Sequence, residues 1–293
     1  MSEKKSSISS LFSKFKNKEI KNIRELSGGS ASDCFQVFLS NGEVYFLKKL
    51  NSDEGKGVFK KEADGLKKLD QAFGISTPKV HFFDEDILIL DYIESGIEND
   101  KSWFRLGAGL ARIHLIKADF FGLNYDNYIG KTVQTNTPVS FKNKKSWGEF
   151  FFKNRIGFQL DLMLKKGKSE KYRTLAFMIR NLEEKIIEKI SSDENPSLIH
   201  GDLWSGNVIF DLEKKPILID PAIYFGNREV EFGMITLFGG FDKSFFKGYF
   251  HEYPLENGWE KRVQIYQLYH LLNHLNLFGD SYYNSIIKLV KDL

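Results

Sequence analysis

Two short segments in the second half of the chain carry residues suited to phosphate chemistry. Residues 200–207 read HGDLWSGN, and IDPA follows at 219–222 after two short apolar runs. Asp202, Asn207 and Asp220 have the spacing of a phosphoryl-transfer centre, in which the first Asp accepts a proton from the attacking hydroxyl and the other two residues hold Mg²⁺. This chemistry needs hard oxygen ligands and one carboxylate aimed at the nucleophile. An Asp capping a Gly-rich turn is the alternative, but the complete pattern favours Asp202 as general base and Asn207 and Asp220 as metal ligands.

A lysine and a glutamate in the first seventy residues complete this pattern. Lys48 shares a predicted strand face with Val44 and Phe46, and Glu62 lies on the helix that follows. In a kinase fold the strand lysine contacts the α- and β-phosphates, and the helix glutamate holds the lysine. Lys49 competes for this role, but it points to the opposite strand face and is expected in solvent. An ordinary surface charge is the alternative reading of Glu62.

Two further segments are candidates for nucleotide contacts through their backbone. Gly28 and Gly29 lie in the first β-turn, where amides approach phosphates without intervening side chains. Leu90, Asp91 and Tyr92 end the fifth predicted strand, at the position where a hinge would bond adenine through its backbone. A plain buried strand leading into a linker is the alternative for these three residues.

The composition excludes several other classes of protein. The 293 residues include 42 basic and 39 acidic side chains, and the net charge of +3 is too even for a nucleic-acid-binding or polybasic membrane protein. No apolar stretch approaches the roughly 20 residues of a membrane span. The N-terminus lacks the features of a secretory signal. The single cysteine, Cys34, excludes an internal disulfide framework, so we expect a soluble cytoplasmic protein with no nucleic-acid or membrane partner.

The hydrophobic pattern predicts a β-rich first part and a helical second part. The first part has an amphipathic helix near the N-terminus, strands over 20–50 with a hairpin turn at Asn41-Gly42, and a helix over 58–73. Two strands follow, at 80–83 and 86–92, and the second is apolar throughout, as buried strands are.

The second part is mostly helical from about residue 96. Helical stripes are predicted near 103–113, over 147–166, over 171–190 and over much of 228–293, whereas 124–146 reads as an extended loop. Segregated strands and helices define an α+β fold. The sequence therefore predicts a nucleotide-binding lobe over 1–95 and a larger catalytic and substrate-binding lobe over 96–293.

With these motifs in place, the sequence resembles the fructosamine kinase (ketosamine-3-kinase) family, which belongs with the aminoglycoside-phosphotransferase-like kinases. The resemblance covers nearly the whole chain and is carried by HGDLWSGN with IDPA, by YFGNRE at 224–229, by LFGGF at 237–241 and by YHLLNH at 269–274. It implies a bilobed protein-kinase-like fold, the cofactors ATP and Mg²⁺, and a ketosamine substrate that is free or bound to protein. Two segments depart from the usual family pattern: Asn227 stands where His is common, and the phosphate loop reads GGSASDCF.

Five residues are candidates for substrate contacts, each with a structural alternative. Trp204 provides either an apolar platform for the sugar or a core residue that closes the catalytic loop. By resemblance, Gln134 and Asn136 read hydroxyl groups, although exposed loop amides would look the same. Arg228 and Glu229 either reach the cleft or form a structural salt bridge that anchors the loop after Asp220.

Other histidines and other functions are less favoured by the sequence. His114 is expected to pack in the core, and the i, i+4 pair His270 and His274 lacks a third metal ligand. The alternatives to a ketosamine kinase are a kinase of an aminoglycoside or choline-like alcohol and a nucleotide-binding pseudokinase. The resemblance implies phosphorylation of a ketosamine 3-hydroxyl followed by release of the amine, by a monomer or weak dimer.

Overall fold

The structure is a computed structural model that describes residues 2–16, 18–26, 32–51, 57–72, 74–167 and 169–293. The chain folds into two lobes, the first built on one antiparallel sheet and the second mostly helical. The elements of the first lobe are α1 (Ser2–Ser13), β1 (Ile20–Leu26), β2 (Ser32–Leu39), β3 (Val44–Leu50), α2 (Val58–Leu69), β4 (Val80–Phe83) and β5 (Ile87–Asp91).

The sheet of the first lobe has the strand order β1-β2-β3-β5-β4. Every neighbouring pair is antiparallel, and β2 and β3 form the predicted hairpin. At its turn, Gly42 has a φ of +88°, a conformation that side chains with a Cβ rarely adopt. The Asn-Gly signal therefore correctly located this turn.

The sheet is covered on both faces, and β5 shows this most directly. Ile87 and Ile89 pack with α1, whose Ile8 and Phe12 are fully buried. Leu88 and Leu90 pack on the other side with α2, through a cluster of apolar side chains that includes Phe59, Ala63 and Leu66. Because both faces of β5 are buried, its sequence is an unbroken apolar run, as predicted.

The second lobe follows after residue 91, and the predicted boundary between residues 95 and 96 falls in the segment between β5 and its first helix. Its elements are α3 (Asp100–Ile113), β6 (Phe120–Phe121), β7 (Asn127–Ile129), β8 (Thr132–Gln134), β9 (Val139–Ser140), α4 (Lys145–Phe151), a π-helical segment (Phe152–Gly157), α5 (Phe158–Lys166), α6 (Glu170–Arg180), α7 (Glu183–Lys189), β10 (Ser197–Ile199), β11 (Val208–Phe210), β12 (Pro216–Leu218), β13 (Tyr224–Gly226), α8 (Val230–Phe238), α9 (Lys243–Glu252), α10 (Trp259–Phe278) and α11 (Tyr283–Asp292).

The structure corrects two of the predicted elements. The expected loop at 124–146 contains the β7–β8 hairpin and the strand β9, which pairs with β6. These strands have only two or three residues each, too few for an alternating pattern to be visible. The expected helix over 171–190 is two helices, because the chain turns at Asn181 and Leu182 between α6 and α7.

The described part of the chain contains no helix with the length and apolar character needed to cross a membrane.

The core of the second lobe is a single large cluster rich in aromatic rings. Trp147 is at its centre, with ring centroids of Phe121, Phe150 and Phe151 within 6 Å. Rings of this size bury much apolar area with few rotatable bonds, which suits a scaffold that must hold a site rigidly.

We expect Phe12→Ala to destabilise the chain, because this ring anchors α1 to the sheet and is 0% exposed. Removing a buried Phe side chain costs about 3–5 kcal/mol, which urea unfolding would measure as a lower unfolding free energy. The control is Phe177→Ala, because Phe177 is 67% exposed and its loss should change stability by about 0.5 kcal/mol or less. Equal effects of the two substitutions would show that α1 does not contribute to the core.

Candidate active site

The catalytic loop (residues 200–207) leaves β10 through a conformation that only glycine allows. Gly201 has a φ of +83°, and a Cβ at this position would lie 2.1 Å from the carbonyl oxygen of Ala222. This close approach brings the catalytic loop against the metal loop (residues 219–223). The backbone N–H of Ala222 donates to the carbonyl of His200 at 2.9 Å. The two motifs found in the sequence are therefore in direct contact.

His200 joins the two loops through its side chain. The imidazole is fully buried, and burial lowers its pKa to about 4. Its Nδ1 accepts from the backbone N–H of Asp202 at 3.3 Å, and its Nε2 lies 2.9 Å from the carbonyl oxygen of Ile219. Only the neutral ring with its proton on Nε2 makes both bonds. His200 thus fixes the backbone immediately before Asp202 and Asp220.

Lys48 forms the predicted ion pair with Glu62 and a second one with Asp220. Its Nζ lies 2.7 Å from Glu62 Oε1 and 2.5 Å from Asp220 Oδ1, and the lysine is only 5% exposed. Burial alone would lower the pKa of Lys48, but the two carboxylates outweigh it and raise the pKa above its usual value. Lys48 is therefore a permanent cation that joins the two lobes.

Lys49 lies on the opposite face of β3, as expected from strand geometry. Its Nζ is 3.4 Å from the hydroxyl of Ser7 on α1 and lies behind the sheet, away from the cleft. The alternative reading of Glu62 as a surface charge is wrong, because its carboxylate is largely buried against Lys48. The ion pair predicted from the sequence thus forms between Lys48 and Glu62.

Asn207 and Asp220 lie side by side because β11 and β12 form a short antiparallel ribbon. The backbone N–H of Ile219 donates to the carbonyl of Asn207 at 3.1 Å. Asn207 Nδ2 donates to the Asp202 carbonyl at 2.7 Å, which leaves its side-chain oxygen free to turn toward a cation. Asp220 has the unusual φ of +54°, and its carboxylate is 38% exposed. One carboxylate and one amide oxygen on a partly open cleft fit the hard-ligand preference of Mg²⁺.

Asp202 faces the same cleft between the lobes. Burial raises its pKa to about 7, the carboxylate of Asp220 adds to the rise, and the hydrogen bond from Asn207 opposes it. A carboxylate with a pKa near neutrality is suited to proton transfer at that pH. The cleft is lined by five polar groups: Lys48, Glu62, Asp202, Asn207 and Asp220. A set of mostly apolar side chains also lines it: Ser32, Leu50, Val58, Phe59 and Pro221.

The predicted phosphate-loop residues Gly28 and Gly29 lie outside the described residues, and Ser32 is the first described residue after that loop. The predicted hinge follows β5 directly. Leu90 is buried in the sheet, and the carboxylate of Asp91 is 2.6 Å from His81 Nε2. Tyr92 is the first residue beyond the strand. The role of residues 90–92 in binding adenine stays a prediction.

Trp204 is the predicted substrate residue that the structure leaves accessible. Its side chain is 39% exposed, which rules out the alternative of a core residue. The ring lies over Gly206, where a Cβ would meet it at 2.3 Å. The catalytic loop therefore presents an aromatic surface two residues from Asp202.

Gln134 and Asn136 are structural, and their predicted contact with substrate is corrected. Gln134 is 1% exposed and Asn136 is fully buried. Gln134 Nε2 donates to the carbonyl of Ala222 at 2.9 Å, and both side-chain amides donate to Asn127 Oδ1. Asn136 also accepts from the buried guanidinium of Arg155 at 2.7 Å. These bonds support the metal loop from behind, so the amides are not available to substrate hydroxyls.

Arg228 and Glu229 are structural as well, in agreement with the salt-bridge alternative. Arg228 is buried, and its guanidinium lies 2.6 Å from Glu194. It also donates to the carbonyl oxygens of residues 253 and 254. Glu229 is buried and pairs with Arg262 at 2.5 Å. The two side chains anchor the segment after β13, and the prediction that they touch substrate is corrected.

Two tyrosines that the sequence did not single out connect the lobes beside Glu62. The hydroxyl of Tyr125 donates to the carboxylate of Asp64, and Lys61 Nζ lies 4.7 Å from the ring centroid of Tyr128. Asp64 and Lys61 flank Glu62 on α2, whereas the two tyrosines belong to the β7–β8 region of the second lobe. We call these two contacts the interlobe clamp. The only signal in the sequence is a shared spacing: Lys61 and Asp64 are three residues apart, as are Tyr125 and Tyr128. This spacing does not show that the two pairs contact each other.

Glu231 is a second residue that sequence reasoning missed. It lies on α8 and is buried, and its Oε1 accepts the backbone N–H groups of His200 and Gly201. Burial raises its pKa to about 8, although these two hydrogen bonds oppose the rise. A carboxylate inside the otherwise apolar helix VEFGMITLF was the signal that could have found it. Glu231 therefore holds the start of the catalytic loop through two backbone N–H groups.

Three further histidines and the single cysteine are buried or half-buried side chains. His114 is buried with Nδ1 2.7 Å from the hydroxyl of Tyr249, as the packing interpretation predicts. His274 Nδ1 donates to the backbone carbonyl of His270 at 2.7 Å. Within the described ranges, no group of three or more His, Cys, Asp or Glu side chains could hold a metal. Cys34 is a buried free thiol, and burial raises its pKa.

The two lobes and the polar groups in their cleft define a phosphotransferase with a kinase-like fold. The chain belongs to the fructosamine kinase family, whose sequence model matches residues 3–293. The family resemblance found in the sequence is thereby confirmed.

Individual relatives cover almost the whole chain. The chain is 37% identical over 270 residues to a probable ketoamine kinase of Enterococcus faecium, and the match covers 90% of this chain and 92% of that protein. It is 36% identical over 274 residues to a chloroplastic protein-ribulosamine 3-kinase of Oryza sativa, with 90% and 77% covered. A crystal structure from Thermobifida fusca, assigned as a fructosamine-3-kinase, superposes with a TM-score of 0.86 at 29% identity and covers 97% of each chain. The predicted bilobed α+β fold is confirmed.

We expect Tyr125→Phe to weaken nucleotide binding, because it removes the hydroxyl that holds Asp64 and thereby α2. A hydrogen bond to a charged group contributes about 1.5–3 kcal/mol, so the Kd of an ATP analogue should rise about tenfold or more in calorimetry. Tyr172→Phe is the matched control, since Tyr172 also bonds a carboxylate, that of Asp280, but on the exposed surface. An unchanged Kd in Tyr125→Phe would show that the interlobe clamp does not position Glu62.

We expect Glu231→Gln to flatten the dependence of stability on pH. The folded-state pKa of about 8 lies above the usual value of 4.5, so the folded chain binds this proton more tightly than the unfolded chain. In the wild type, Glu231 makes its full contribution to the free energy of unfolding below about pH 4.5, and this contribution is lost as the pH rises through 8. Urea unfolding between pH 5 and 9 measures the difference. Glu170→Gln, at an exposed position, controls for the lost charge; equal slopes in wild type and Glu231→Gln would refute the assignment.

Proposed function

We propose that this chain transfers the γ-phosphoryl group of ATP to the 3-hydroxyl of ketosamines, with Mg²⁺ as the metal cofactor. The observation that carries the proposal is the cleft itself. Lys48, Glu62 and Asp220 are joined by ion pairs, and Asp202 and Asn207 lie beside them, in a member of the fructosamine kinase family. The relatives named ketoamine kinase and protein-ribulosamine 3-kinase support the class of acceptor.

Asp202 is the proposed general base. It takes the proton of the 3-hydroxyl as the sugar oxygen bonds to phosphorus, and the bond from phosphorus to the bridging oxygen of ADP breaks. Since burial and Asp220 raise the pKa of Asp202, its carboxylate is a stronger base than an exposed one. Asn207 donates to Asp202 and holds the carboxylate in place at 3.3 Å.

Lys48 is the proposed contact to the α- and β-phosphates, and Glu62 keeps it oriented when Asp220 turns to the metal. Asn207 and Asp220 would hold Mg²⁺, which supplies charge neutralisation for the phosphate oxygens. Gly28 and Gly29 are proposed to approach the phosphates and residues 90–92 to bond adenine, both through the backbone.

Trp204 is the proposed platform for the sugar, because its ring is exposed and belongs to the catalytic loop two residues after Asp202. The product 3-phosphate is expected to release the amine, so the reaction would repair glycated amines. We propose a cytoplasmic enzyme, in line with its single cysteine and balanced charge, that acts as a monomer or weak dimer. The presence of all five polar groups disfavours a pseudokinase.

The test is an ATP-consumption assay that compares fructosamine, ribulosamine and erythrulosamine acceptors with free sugars, choline and aminoglycosides. We expect turnover of ketosamines only, with phosphorus NMR placing the phosphate on the 3-hydroxyl. Asp202→Asn should lower kcat by about 10²–10⁴, the usual contribution of a general base, and leave ATP binding intact.

Asp119→Asn is the matched control, because Asp119 is an exposed carboxylate in the same lobe. It should retain full turnover. Activity on choline or an aminoglycoside without activity on any ketosamine would overturn the proposed acceptor. Nucleotide binding without turnover of any acceptor would favour a pseudokinase.

A further inference from the structure

A second lysine lines the cleft that holds the candidate reacting groups. Lys61 lies on α2, and its half-buried side chain lines the same cleft as Lys48, Asp202 and Asp220. Its Nζ lies 4.7 Å from the ring centroid of Tyr128, which lines the cleft from the second lobe. The cleft therefore contains a second ammonium group besides that of Lys48.

The two ammonium groups differ in their partners. Lys48 is bonded to two carboxylates, those of Glu62 and Asp220, which offset its charge. Lys61 forms no ion pair within the part of the chain that the structure describes, and its contact with Tyr128 is with an uncharged ring. A cation–π contact at a partly exposed position is weaker than a bond from an ammonium group to a phosphate. The charge of Lys61 is therefore open to an anionic ligand.

The ring beneath Lys61 is fixed to the metal loop. Tyr128 follows Asn127 on β7, and Asn127 Nδ2 donates to the carbonyl oxygen of Ile223 at 2.8 Å. Ile223 ends the metal loop, which also carries Asp220. Lys61 is thereby held on the side of the cleft that carries Asp220.

The loops around the cleft carry no cation of their own that could meet a transferred phosphoryl group. The phosphate loop (residues 28–35), the catalytic loop and the metal loop contain no Lys or Arg. Their one basic side chain is His200, and burial lowers its pKa to about 4. Three of the described side chains that line the cleft are carboxylates, and a triphosphate adds more negative charge. Because phosphoryl transfer is favoured by a cation aimed at the moving group, that cation must come from another element.

We propose that Lys61 leaves the ring of Tyr128 when ATP enters the cleft and binds the γ-phosphoryl group. The inference rests on the proposed function, which places ATP in this cleft with Lys48 at the α- and β-phosphates. A lysine has a flexible four-carbon stem, so its ammonium group can change partner while α2 stays in place. Lys61 stays protonated throughout and acts by neutralising the oxygens of the group that moves.

The test compares two nucleotides that differ in the γ-phosphate. Calorimetry measures the Kd of a non-hydrolysable ATP analogue and of ADP, each with Mg²⁺. Lys61→Met should raise the Kd of the ATP analogue about tenfold, the usual effect of losing one charge-assisted hydrogen bond, and change that of ADP by less than about twofold. Lys61→Arg keeps the charge and should restore most of the affinity for the ATP analogue.

Lys60→Met is the matched control, because it removes the same charge from the neighbouring position of α2. Lys60 is exposed and lies outside the cleft, so both Kd values should stay at the wild-type level. An equal loss of affinity for the ATP analogue and ADP in Lys61→Met would show that the lysine supports α2, and the proposal would be wrong. Unchanged affinity for the ATP analogue would contradict it as well.

Tyr128→Leu separates a lysine that changes partner from one that only joins the lobes. If the ring competes with phosphate for Lys61, its removal leaves the Kd of the ATP analogue unchanged or lowers it. A rise in Kd as large as that of Lys61→Met would show that the contact persists with nucleotide bound, which would overturn the proposal.

Turnover gives an independent measurement. With a ketosamine acceptor and saturating ATP, Lys61→Met should lower kcat by about tenfold or more and leave the KM of the ketosamine unchanged. If no ketosamine is phosphorylated, the proposed acceptor fails, whereas the difference between the ATP analogue and ADP still decides the role of Lys61. Failure of the wild type to bind either nucleotide would overturn both proposals.

Discussion

The ammonium group of Lys48, buried between two carboxylates, is the interaction on which the rest of the structure depends. A buried charge is stable only when it is paired. Here the partners come from different parts of the chain: Glu62 from the first lobe and Asp220 from the second. The requirement for charge balance therefore fixes the position of one lobe against the other. Tyr125 and Asp64 extend this connection to the outer side of α2, so that Glu62 is held from two directions.

Buried polar groups hold the catalytic loop and the metal loop in place. Neutral His200 bonds both loops, Glu231 accepts two amides of the catalytic loop, and Gln134 donates to the metal loop. In a low-dielectric interior, each of these bonds is strong when made and costly when lost. Asp202 and Asp220 thus owe their placement to buried side chains that do not line the cleft.

Candidate site residues could be predicted from the sequence where they belong to continuous motifs. The prediction failed for residues whose role depends on whether they are buried. Lys48 and Asp202 could be singled out as candidates because strand alternation and the HGDxxxxN spacing are local patterns. Gln134 was misjudged, and the two readings of Arg228 could not be separated, because a polar side chain in a loop looks the same whether it is exposed or, as here, bonded in the core. Tyr125 could not be found because its partner lies 61 residues away and no local pattern connects them. The short strands of the second lobe escaped for a related reason, since two or three residues show no period.

The doubly paired Lys48 has a consequence for the enzyme as a protein exposed to sugars. A lysine amine attacks a sugar carbonyl only through the lone pair of its uncharged form. Two carboxylates keep the Lys48 amine protonated, and burial excludes the sugar from it. The Lys48 amine is therefore protected from glycation by the same contacts that orient it. Under the proposed function, the chain keeps this lysine out of reach of the reaction that forms its own substrates.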